Sequence, residues 1–449
     1  MNSELLASQL STKGYQDIRY QTLDNLTISV KGQGLGDVIT TRKQGGHARS
    51  LTGGGFGTYS FTGAGDLGLA VRQSMVLSNL IPGRVTLANV PVEQEKIGFR
   101  RPDPRTIPME EKKELLLKYH QQLMAHPAII STGGTYFEIV SNKHYVNNEG
   151  TAIEQSEVVS GMRFNITAKG NGITQITRLS LGGGDDFADL GGQEEAVEAR
   201  AQQTEDLLSA ETISEGNYDV ILDHEVGGLF IHEAFGHLSE ADNLLQSQAL
   251  QKTMTLGTEF GLPWLNVVDD PGEEGHPGSY VFDDEGVRGS RTHLIREGML
   301  AGRLHSRQTA GLMGETPTGH CRAKDFSFRP IPRMGNIFIA AGPHSFDDMV
   351  ASIDRGLYLF GAAGGQTSGE RFSFAVQGGY RITGGRIVGM VRDVSLGGNL
   401  FTTLRNISMV GSEFVWSRAG GCGKQGQSLV NCGKGSVPVK IDNMAIGVR

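Results

Sequence analysis

The chain is short of cysteine, tryptophan and proline, with three, two and 14 of them in 449 residues. Three cysteines, an odd number at positions 321, 422 and 432, do not make a disulfide framework, so free thiols in a reducing compartment are expected. A basic excess is also missing. Forty-one Lys and Arg against 49 Asp and Glu give a formal net charge of -8, without the electrostatic footprint of a nucleic-acid binder. No apolar run reaches the roughly 20 residues needed to span a bilayer. The opening MNSELLASQLSTKGYQD carries no charged region followed by an apolar stretch, so no secretory signal is read there. A soluble, cytoplasmic protein with no nucleic-acid and no membrane partner is expected. The abundant residue is glycine, 64 without a fixed period, which excludes collagen-like chains and points to many strands joined by tight turns.

The organisation expected is α+β: N-terminal strand-helix domains followed by a large β-rich C-terminal domain. DIRYQTLDNLTISVKGQG and HARSLTGGGFGTYSFTG alternate apolar and polar residues, the period of half-buried strands, and DLGLAVRQSMVLSNLI has helical spacing. These form a first unit over 1–100. A Pro- and charge-rich connection, RRPDPRTIPMEEK, leads into a second unit over 101–215. In it a helix with acids at its start, MEEKKELLLKYHQQLMAH, precedes two strand segments and a charged helix. From 216 to 449 the pattern is short strands and Gly/Asn/Asp turns, with one short helical stretch near the beginning. The acidic stretches DDPGEE and FDDEG read as turns and solvated strand ends rather than calcium loops. Arg329 and Arg333 of RPIPR read equally as substrate contacts or as surface pairs. GQGLGD opens no helix and is not taken as a phosphate loop.

The chemically loaded stretch is GLFIHEAFGHLSEADNLL, where His232 and His237 bracket Glu233. Residues four apart on an α-helix differ by about 40° and can share a metal; five apart differ by about 140° and face away. A shared ion therefore requires a π-type turn with i→i+5 bonding, and Gly236 lowers the cost of that distortion. Neutral imidazoles suit zinc, and a carboxylate beside them can take a proton from an activated water. A third ligand must come from elsewhere. Nearby candidates are Glu240 and His224; distant ones are His320, Cys321, Cys422 and Cys432. Residue chemistry alone leaves these open, including the choice between Cys422 in AGGCGKQGQ and Cys432 in VNCGKGS.

HEAFGHLSEAD, GSYVFDDEGV, RTHLIREGML, FRPIPRMGN, CGKQGQ and VKIDNMAIG occur in order, and with them the chain resembles the TldD/PmbA family of metallopeptidases. The intact H-E-x-x-x-H resembles the active, TldD-type subunit. The resemblance implies Zn²⁺ held by His232, His237 and Cys422, the cysteine of the C-G-K-x-G-Q segment, with Glu233 as general base. It makes Cys432 incidental. His320 and Cys321 stand where members of the family usually carry small or polar residues, which keeps another thiolate ligand in play. Glu240 reads evenly as an orienting group or a solvated one.

The resemblance further implies hydrolysis of peptide bonds in extended or unfolded polypeptides, and dimers, either homodimers or heterodimers with a PmbA/TldE-type paralogue. The competing expectations are a non-hydrolytic zinc-containing adaptor subunit, whose ion would have four protein ligands, and a metal-dependent amidohydrolase of small substrates.

Overall fold

Residues 129–147 and 152–170 place buried side chains at nearly every second position, and the first layer of the fold follows from this period. In the computed structural model they are two 19-residue antiparallel strands, Ile129–Asn147 and Ala152–Gly170, joined by a turn in which Asn147 Oδ1 accepts from the N–H groups of Glu149 and Thr151. The structure describes residues 2–448 except 33, 84, 418 and 419, and all their side chains except those of 368 and 429. The segments Tyr15–Lys31, Gly34–Leu51 and Gly57–Thr62 extend the sheet on one side, and Ile173–Gly182 and the short parallel Gln94–Ile97 on the other. Strands from residues 1–100 and from residues 101–215 thus share one seven-stranded sheet.

Among the described residues, three longer helices cover this sheet. Leu67–Leu80 packs on the outer strands, burying Leu67, Ala70 and Val71. Met109–Met124 and Glu194–Asp206 cover the long central strands, with Leu116, Tyr119, Leu123, Val197 and Ala201 in the core. All three match the helices expected from their spacing.

Beyond residue 215 the strands make a second body. Gly216–Leu222, Arg355–Ser368, Arg371–Thr383, Val394–Asn399 and Val439–Val448 pair in a ring that closes on itself. Beside it lies a six-stranded sheet whose centre is Val267–Asp269, Asn336–Ile339 and Gly433–Ser436. One apolar core fills the space between ring and sheet, and the helix His224–Ile231 lies inside it. The whole is 23% helix and 43% strand, an α+β protein. Among the described residues no helix is long and apolar enough to cross a membrane.

The two bodies are joined by buried charge. Arg49, 5% exposed, binds Asp17 of its own sheet at 2.5 Å and Glu285 of the second body at 2.9 Å. Arg19 and Lys143 both reach Asp284 at 3.3 Å, and Arg19 also donates to the carbonyls of Asp325 and Phe328. Burial raises the Asp284 pKa, but these two cations outweigh it and hold the group at about 2. Asp283 beside it accepts three backbone N–H groups, from Glu285, Val287 and Cys321, yet burial and the Glu285 charge push its pKa up to about 8. The FDDEG stretch is therefore an internal clasp, not the solvated strand end expected from its composition. A strand end cannot be told from a buried ion cluster until the partner cations, more than 100 residues away, are placed.

Removing one member of a buried ion set leaves its partners charged and unpaired, at about 3–5 kcal/mol. Arg49→Met is expected to lower unfolding free energy by that amount in denaturant titrations. A loss below about 1 kcal/mol would show that the clasp contributes little.

Candidate metal centre

Asp223 opens the helix that carries the site. Its carboxylate accepts from Val226 N at 2.7 Å and from Gly361 N at 2.9 Å, tying the helix start to the strand ring. Gly227 and Gly228 let the helix lie against Gly433–Ser436; a Cβ on Gly227 would meet Ser436 Oγ at 2.6 Å.

The helix widens at the residues where the spacing demands it. His232–Gly236 is a π turn in which His237 N–H donates to the carbonyl of His232, five residues back. The turn brings the two imidazoles to one side, with ring centroids 5.2 Å apart and planes at 79°. Gly236 sits where the turn presses on the sheet: a Cβ there would lie 2.1 Å from Met334 Sδ and 2.9 Å from Ile337 Cδ1.

Cys422 arrives from a small hairpin, Cys422–Lys424 paired with Gln427–Val430. Donor atoms of His232, His237 and Cys422 all lie within 4.8 Å of one another. Zinc–ligand bonds of about 2.0–2.3 Å put tetrahedral donor pairs about 3.5 Å apart. Cys422 Sγ and His237 Nε2 already stand at 3.3 Å. Two imidazoles and a thiol form a donor set suited to zinc, so these residues fit such an ion.

Around the cluster the structure supplies an outer set of partners. Glu240, fully buried, accepts from His237 Nδ1 at 3.0 Å, which leaves Nε2 facing Cys422. Burial alone would lower the His237 pKa, but Glu240 and the Cys422 contact push it up to about 11. Glu240 is driven down to about 2, because Lys424 and His237 outweigh its burial. Lys424 lies two residues beyond Cys422, with Nζ 3.0 Å from Glu240 and 2.6 Å from Asp242. The hairpin is further held by Arg333, whose guanidinium donates to the carbonyls of Cys422 and Gln427. His232 is 1% exposed, and its burial lowers its pKa.

Glu233 is half-buried, and Thr367 Oγ1 donates to its carbonyl at 3.4 Å. Among the described residues its carboxylate makes no hydrogen bond or ion pair.

The other candidates separate clearly. His224 opens the helix outside the cluster. His320 is paired with Asp269 at 2.9 Å, both fully buried, and Cys321 lies beside Asp283 and Glu285. Cys432, expected to be incidental, lies 3.9 Å from His232 Nδ1. It hydrogen-bonds Cys422, which lowers its pKa to about 7 and raises that of Cys422, the latter also raised by burial. Sequence reasoning misses Lys424 and the buried role of Arg333. Both lie inside recognisable motifs, CGKQGQ and FRPIPRMGN, but only the fold shows that they converge.

The central-domain pattern of the PmbA/TldA metallopeptidases matches residues 102–211, and their C-terminal-domain pattern matches residues 215–447. A metalloprotease of Synechocystis sp. is 36% identical over 450 residues, covering 99% of this chain and 97% of that one. A protein of Saccharolobus solfataricus named zinc metalloprotease TldD homolog is 31% identical over 347 residues, 75% of this chain and 76% of its own. Among solved structures, TldE from Thermococcus kodakarensis superposes with a TM-score of 0.76 at 17% identity, covering 99% of this chain and 98% of that one, a likeness of fold.

Two substitutions probe this geometry. Gly236→Ala places a methyl inside Met334 and is expected to cost about 1–3 kcal/mol of stability, read by denaturant titration. An unchanged midpoint would mean that the turn is not wedged there. Glu240→Gln removes the charge that orients His237 and is expected to weaken metal affinity about 10–100-fold in a chelator competition. Equal affinities would make Glu240 a bystander.

Proposed function

The chain belongs to the PmbA/TldD family of metallopeptidases, and on that premise we propose that it hydrolyses peptide bonds in extended or unfolded polypeptides, with Zn²⁺ held by His232, His237 and Cys422 and with Glu233 as general base. The observation that carries this reading is the π turn, which sets both imidazoles against the Cys422 thiol. Bound there, the ion would supply Lewis acidity toward the scissile carbonyl and make an attacking water easier to deprotonate.

The protein's own groups do the rest. Glu233 follows His232 directly and keeps a carboxylate uncommitted to any other side chain among the described residues, so it can accept the proton of the attacking water and pass it to the leaving amine. Glu240 fixes the tautomer and tilt of His237. Lys424 balances Glu240, so no uncompensated anion is buried behind the ligands. The working unit in this reading is a pair of like-folded chains, either two copies or this chain with a TldE-type paralogue.

One observation favours a second reading. Cys432 touches both His232 and Cys422. As a fourth ligand it would close the site and make the ion structural. Glu233→Gln decides between them. The peptidase reading expects this variant to retain its zinc and lose at least about 100-fold in cleavage of an unfolded protein, while Cys422→Ala loses both. Normal cleavage by the Glu233 variant would end the general-base mechanism.

A further inference from the structure

A cavity of about 310 Å³ is lined by residues of the first sheet and of the second body. Three of its walls belong to segments that also carry residues of the site. Leu229 and Glu225 line it from the helix that runs into the widened turn carrying Glu233. Lys434 and Ser417 line it from two paired strands, and Lys434 stands two residues beyond Cys432, the neighbour of His232. Gly364 lines it from the strand whose Thr367 donates to Glu233.

The fourth wall is the first sheet, which contributes Arg163 and Arg178. The cavity thus gathers three cations from separate segments of a chain whose net charge is -8. Arg163 lies over the Phe137 ring at 4.7 Å, and Arg178 donates to the carbonyl of Ala363. Among the described residues none of the three has a carboxylate within ion-pair distance. The cavity's own acid, Glu225, is already engaged by Arg200 at 3.4 Å. Ser417 Oγ is buried there without a hydrogen-bond partner among the described residues. Two guanidiniums and an ammonium around an unfilled hydroxyl form a donor set for a carboxylate, and guanidinium matches one in bidentate geometry.

We propose that this cavity is a substrate subsite that binds a carboxylate of the peptide, held by Arg163, Arg178 and Lys434. The carboxylate comes from an Asp or Glu side chain or from the C-terminus of the peptide. The assignment rests on the peptidase reading and gives it a substrate preference: acidic or C-terminal segments of unfolded chains. Because the pairs form at a solvent-accessible opening, the preference weakens as salt rises.

The test uses the zinc-loaded full chain and three unstructured peptides of otherwise identical sequence. One has an internal Glu and an amidated C-terminus, one an internal Gln and a free C-terminus, and one an internal Gln and an amide. The expected result is a KM at least about tenfold lower for one of the carboxylate peptides than for the neutral one, the size of a charge-assisted contact; which peptide gains identifies the source. In Arg163→Gln/Arg178→Gln and in Lys434→Gln that ratio is expected to fall toward one, with thermal unfolding checked for each variant. Equal KM values for all three peptides, or a ratio that survives both variants, overturn the proposal while leaving peptide hydrolysis intact. Anisotropy with the same peptides bound to Glu233→Gln reads the subsite without turnover. Selective binding there alongside a wild type that cleaves nothing would sink the peptidase reading and leave the carboxylate subsite standing.

Discussion

A helix that must turn one residue further than usual between two imidazoles is the constraint on which the rest of this protein depends. Five residues on a regular helix would send His232 and His237 to nearly opposite faces. The π turn brings them back, and its cost is met by packing, since Gly236 is wedged under Met334 and Ile337 with no space for a side chain. Asp223 caps the helix that leads into the widened segment, and Glu240 accepts from His237 just beyond it. The distortion is built into the core.

The third donor depends on contacts far along the chain. Cys422 lies on a two-strand hairpin with little core of its own, and Arg333 and Lys424 give it a fixed seat. Lys424 is the informative case. It answers the charge of Glu240, and Glu240 orients His237, so the hairpin that delivers the thiol also steadies the opposite ligand. The outer partners thus join two segments separated by nearly 200 positions into one electrostatic unit.

What can be read from the sequence follows the range of the interactions. The helices at 67–80, 109–124 and 194–206 are legible because apolar spacing is a local property. The π turn is legible for the same reason: the spacing of His232 and His237 allows a shared ion in no other local geometry. Asp283, Asp284 and Glu285 read as solvated, yet they are buried against Arg19, Lys143 and Arg49, because their partners sit in another part of the chain. The position of Cys432 is equally out of reach of the sequence. Its neighbouring glycines signal freedom, and only the strand order places its sulfur beside His232. Local geometry is readable, whereas long-range pairing of charges and thiols is not.

The cavity between the two bodies has a consequence for how this architecture can change. The candidate ligand cluster and the proposed general base belong wholly to the second body, but two of the cavity's cations project from the first sheet. The groups that would do chemistry and two of the groups that would choose what is acted upon therefore belong to different bodies. The first can be rebuilt, its taste in cargo altered, without disturbing the machinery of the second.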